Sequence, residues 1–187
     1  MSDDCSRRLM QSLWLMVVCA SATTRIDAAE SLQIDACALL TTDQISKVVG
    51  MPVAEGARKD AGMQQNGSYS SSCVWILGDD PDFVENPDAP LGGRSFVILN
   101  AMQWPSGSGL ARKFLEAFHD AARHGEIPSK PESRRFGDEA LWWGDGLAVR
   151  QGDTSFGLSV FIPDRPRSLS GQLEEQLAPS ILEALRK

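Results

Sequence analysis

Few residues in this chain are of a type and spacing to do chemistry. The two histidines, His119 and His124, lie five positions apart on one amphipathic stretch. A helical metal pair uses an i, i+4 spacing, which sets both rings on one face. Glu116 and Asp120 flank His119, as ordinary polar residues of a helix surface do. Asp138 and Glu139 form an adjacent carboxylate pair. Neighbours on a strand point to opposite faces, so the two do not make a dyad by themselves. If either met His119 in a cleft, the chain would hold the acid–base groups of a hydrolase.

Three further features are of a type that could carry chemistry. Asp79-Asp80-Pro81-Asp82-Phe83-Val84-Glu85-Asn86-Pro87-Asp88 is rich in oxygen ligands. It lacks the fixed spacing and central glycine of a calcium loop, so it reads as a solvated acidic loop. Gly107-Ser108-Gly109 leads into a helix but lacks the Lys-Ser/Thr of a phosphate loop, and Ser108 is in no Gly-x-Ser-x-Gly elbow. Adjacent Trp142 and Trp143 must face opposite sides of a strand, and Trp104 sits at a strand end beside Pro105. If two of these rings shared an open surface they would form a binding patch. Trp104, Trp142 and Trp143 are therefore the candidate ligand or partner surface. No catalytic, metal or cofactor signature is read in the chain.

The cysteines depend on the N-terminus. Arg7 and Arg8 precede the apolar run Leu13–Ala20, and Ala20-Ser21-Ala22 follows. Basic, apolar, then small is the order of a secretory signal. The run is too short for a permanent membrane helix, which needs roughly 20 residues. Cleavage is expected after Ala22, with Ala28 the alternative. Ser6-Arg7-Arg8 begins like a twin-arginine signal, but Gln11 departs from that pattern and the general route is favoured. Val18 stands where a lipobox has Gly, Ala or Ser, which disfavours a lipid anchor at Cys19. Cys5 and Cys19 leave with residues 1–22. The mature chain keeps Cys37 and Cys73, which an oxidising compartment would pair. With no matching His spacing they are half a zinc ligand set at most.

The chain has 187 residues, 42% hydrophobic and 23% charged, with a formal net charge of -7. That fits one domain with a real core. The acidic balance argues against nucleic acid, whose phosphates need Lys and Arg. It also disfavours a polybasic grip on anionic lipid.

Several elements must position these residues. Residues 23–36 read as a flexible lead and 37–187 as a single domain. A short helix follows Cys37, capped by Thr41 or Thr42 and closed by Gly50 before Pro52. Met51–Glu55 is a candidate strand and Lys59–Ser72 a loop. Cys73–Leu77 and Arg94–Trp104 are strands. Leu110–His124 is a helix with Leu110, Phe114, Leu115 and Phe118 on one stripe. Ile127–Arg135 reads as a loop. Gly137–Trp143, Leu147–Gln151 and Thr154–Ile162 are strands joined by Gly-Asp turns, hence antiparallel. Leu169–Lys187 is an amphipathic helix that Pro179 kinks or splits. The expected class is α+β: one twisted antiparallel sheet with helices on at least one face.

Cys37-Ala38-Leu39-Leu40-Thr41, Gly50-Met51-Pro52-Val53, Ser72-Cys73-Val74-Trp75 and Gly137-Asp138-Glu139-Ala140 follow one another in order. This pattern resembles small exported bacterial domains of unknown function, including mycobacterial-type lipoproteins and sensor-like ectodomains. The resemblance spans about Cys37 to Lys187. It implies an α+β domain with a Cys37–Cys73 disulfide and carries over no catalytic residue. The resulting expectation is a periplasmic or secreted, non-enzymatic module that binds a small ligand or an envelope protein. The alternatives are an envelope hydrolase using Asp138 or Glu139 with His119, and an accessory subunit of an envelope complex.

Overall fold

The computed structural model describes residues 33–78, 91–127 and 130–187. The expected signal, its cleavage sites, Cys5, Cys19 and Asp79–Asp88 lie outside the described residues. Leu32–Lys187 forms one compact unit.

The elements run α1 (Ala36–Leu39), α2 (Thr42–Val49), β1 (Ala57–Arg58), β2 (Gly62–Met63), β3 (Tyr69–Ile76) and β4 (Phe96–Gln103). Then come α3 (Leu110–Arg123), β5 (Glu132–Arg134), β6 (Glu139–Trp142), β7 (Leu147–Gln151), β8 (Thr154–Phe161) and α4 (Arg167–Ala184). All strands join one antiparallel sheet in the order β1-β3-β4-β8-β7-β6-β5, with β2 also on β3. The class is α+β, as the strand spacing predicts.

Strand alternation builds two faces. One carries Cys73, Trp75, Val97, Leu99, Leu158 and Val160, in the register Cys73↔Leu99↔Leu158. The helices α1, α2 and α4 cover it, with Leu40, Ile45, Leu177 and Ile181 fully buried. On the other face Leu115 of α3 packs over Leu141 and Ala148. Both faces therefore carry helices. Each face takes every second residue of a strand, and both sets are apolar over β6 and β7.

Thr41 caps α2 through a capping box with Gln44, and Gly50 closes it in the left-handed region at φ 72°. Cys37 and Cys73 are bridged, with Cα atoms 5.1 Å apart. The bridge fixes α1 to β3. Its separation of 36 residues gives about 3–4 kcal/mol in the chain-entropy account.

Four expectations are corrected. Met51–Glu55 forms no strand, only an isolated Val53↔Leu77 bridge, because Pro52 has no N–H to extend a ladder. Tyr69–Ser72 belongs to β3, since pairing with β4 runs its full length from Tyr69↔Gln103. Tertiary pairing there overrides the low strand propensity of a serine run. Glu132–Arg134 is a strand, recruited by the edge of β6. Pro179 lies inside α4, which runs on to Ala184, so it does not split the helix in two. Burial of Leu177, Ala178, Ile181 and Leu182 on both sides of Pro179 offsets the lost main-chain hydrogen bond.

Candidate functional site

The alternation that sends Trp142 and Trp143 apart gives each its own helix. Trp143 turns toward α3, with its ring 4.8 Å from Phe118. Phe118 meets Phe114 edge-on at 5.4 Å, and Phe114 meets Trp104 at 5.9 Å. Trp104 is only 9% exposed, and its indole N–H donates to Ser155 Oγ at 2.8 Å. Trp104 and Trp143 thus end one row of rings packed along α3.

Trp142 lies on the opposite face against α4. Gly171 makes the approach possible: a Cβ there would stand 3.0 Å from the indole nitrogen. The indole N–H donates to Glu174 Oε2 at 3.1 Å. The Arg134 guanidinium sits 5.9 Å from the ring centroid, within cation–π range. Arg134 is itself held by Glu132 and Glu175. The partly buried Trp142 ring lines a groove of about 270 Å³ with Glu132, Arg134, Ser168, Gln172 and Glu175. The structure does not bring the three tryptophans together. Trp142 alone of them lines this groove.

Beneath the groove Glu174 is fully buried. The β7–β8 ladder has its last rung at Leu147↔Leu158. Past it, Val160 has no β7 partner, and α4 supplies side chains instead. Val160 N–H donates to Glu174 Oε1 at 2.9 Å, and Arg167 Nη1 donates to Val160 C=O at 2.7 Å. Arg167 also reaches Gly144 C=O at 3.3 Å and the Asp145 carboxylate at 3.2 Å, and stands 3.6 Å from Glu174. Burial pushes the Glu174 pKa up to about 7 against these donors and Arg167, with Asp145 adding a smaller push upward.

The hydrolase residues do not converge. Asp138 and Glu139 both engage Arg150, at 3.0 and 3.5 Å, and Asp138 also accepts Gly152 N–H at 2.7 Å. His119 lines a separate groove of about 440 Å³, whose described lining is Ala122, Arg123, Lys130 and Pro131. His124 is the C-cap of α3. At the other end of α3, Asp153 accepts Gly107 N–H and the Ser106 hydroxyl, both at 3.1 Å. A carboxylate of the chain itself therefore meets the Gly107-Ser108-Gly109 turn. Among the described residues no group of three or more His, Cys, Asp or Glu is placed to hold a metal, and no helix is long and apolar enough to cross a membrane.

The sequence reading missed two polar centres. Asp60 accepts from Ser71 Oγ at 2.6 Å and from Arg58, and Ser71 Oγ accepts Ala36 N–H at 2.9 Å. Burial would raise the Asp60 pKa, but the bonds from Ser71, Arg58 and Ser72 hold it below the ordinary carboxylate value. This clasp ties the start of α1 to β3 beside the disulfide. The second centre, Glu174, carried a visible signal. It falls among Leu173, Leu177 and Ile181, on the stripe that must face the core.

Comparison with known proteins returns no matching family model, no matching curated protein and no matching solved structure.

Proposed function

We propose that this chain is an exported bacterial domain that binds a small ligand or an envelope protein at the Trp142 groove and performs no chemistry of its own. One observation carries the binding reading. Trp142 offers a partly buried ring, flanked by Arg134, at a groove with hydroxyl, amide and carboxylate groups on its walls. An aromatic surface edged by a few polar groups is the usual make-up of a recognition site. Export is supported by the basic–apolar–small order of residues 1–22 and by the pairing of Cys37 with Cys73. The motif order that resembles small exported bacterial domains points the same way. The separation of His119 from Asp138 and Glu139 supports a binding role over hydrolysis.

Two experiments test this reading. Protein recovered from the envelope should have the intact mass of a chain starting at Thr23, with no thiol alkylated before reduction. A mass that retains residues 1–22, or two free thiols, would remove the export claim. Pull-down from envelope extract, alongside titration with a periplasmic metabolite library, should give a discrete hit that Arg134→Ala weakens. Folded protein with no hit in either assay would sink the binding claim.

A further inference from the structure

We propose that Glu174 is a proton-controlled latch on the seam where α4 closes over the ends of β6 and β8. The geometry that carries this is a buried carboxylate doing the work of a strand. Its two oxygens take donors from two different elements, the Val160 main chain and the Trp142 indole. Opening the seam breaks both bonds together and lets water reach the carboxylate.

The charge in the seam is not balanced. The charged groups facing Glu174 are Arg167 from the first turn of α4 and Asp145 from the β6–β7 turn. Those two carboxylates share one guanidinium, which spends its shortest bond on Val160 C=O. On the β5 side Arg134 lies across the Trp142 ring, already bonded to Glu132 and Glu175. β8 brings the Val160 main chain, and the buried residues of β7 and β8 beside it, Leu147 and Leu158, carry no charge. An ionised Glu174 is therefore held in a buried site with an incomplete counter-charge, which favours the hydrated, open seam.

Burial lifts the Glu174 pKa to about 7 from an ordinary 4.5, and hydration on opening returns it toward 4.5. Opening should then rise about tenfold per pH unit between about 5 and 7, and level off above. Ser168, Gly171, Gln172 and Glu175 of α4 form one wall of the groove, so the same event reshapes that wall. The latch stands whether or not the groove binds a ligand.

Amide and indole hydrogen exchange, corrected for intrinsic rates, tests the latch on the oxidised full chain. The Val160 amide and the Trp142 indole N–H should lose protection together, about tenfold per pH unit from pH 5 to 7. Both should be less protected than the Leu99 amide at the sheet centre. Glu174→Gln should flatten the pH dependence. Three results would overturn the proposal: pH-independent protection in the wild type, an unchanged slope in Glu174→Gln, or protection equal to that of Leu99 at every pH. If Glu174→Gln fails to fold, the side-chain carboxyl ¹³C titration of wild-type Glu174 decides. A midpoint near 7 supports the latch, and one near 4.5 overturns it.

Discussion

Glu174 accepts the main-chain N–H of Val160 at 2.9 Å, two residues beyond the last rung that β8 shares with β7. Together with Arg167 it completes the hydrogen bonding of a strand whose neighbour has turned away. The end of an interior strand is finished by a helix, and a carboxylate is buried to do it.

That burial sets the sign of a pH effect. The native Glu174 pKa lies above its unfolded value, so its contribution to stability is fully present below about pH 4.5 and is lost as pH rises through about 7. The loss amounts to about 3 kcal/mol. Urea midpoints measured from pH 4.5 to 8 should fall across this range in the wild type and much less in Glu174→Gln. Equal slopes in the two proteins would refute the assignment.

Gly171→Ala should destabilise the protein by about 1 kcal/mol. In a helix interior this change normally gains up to about that much, so the expected sign is reversed. The reason is the 3.0 Å approach of the new Cβ to the Trp142 indole, whose place is fixed by Glu174 and Arg134. Thermal unfolding and tryptophan emission read it directly. A stabilised variant with unchanged emission would contradict this reading of the Gly171–Trp142 approach.

Removing the bridge with Cys37→Ala and Cys73→Ala should cost about 3–4 kcal/mol, with the secondary structure retained. Far-UV circular dichroism and a urea titration check both halves of that statement. Unchanged stability would show that the Asp60–Ser71 clasp fixes α1 to β3 without help from sulfur.

Much of the fold was legible because its signals are local. The Gly-Asp turns between β6, β7 and β8 announce antiparallel pairing, and Thr41 with Gly50 brackets α2. The parity of Trp142 and Trp143 is enough to place them on opposite faces. What escaped depends on partners remote in sequence. Tyr69–Ser72 becomes a strand only because β4 lies beside it, and Glu132–Arg134 only because β6 has a free edge. The candidate site was half legible. Trp142 was named, but Arg134 and Glu174 reach it from β5 and α4 across 8 and 32 residues of chain. A carboxylate on the apolar stripe of α4 was the one clue the sequence held.

The reading of Trp142 as the recognition ring is tested most directly by titrating the metabolite library against Trp142→Phe, Trp104→Phe and Trp143→Phe, each shown to be folded. Binding should be lost or strongly weakened in Trp142→Phe and kept in the other two, whose rings pack along α3. A ligand bound equally well by Trp142→Phe, or lost only in Trp104→Phe or Trp143→Phe, would contradict the account.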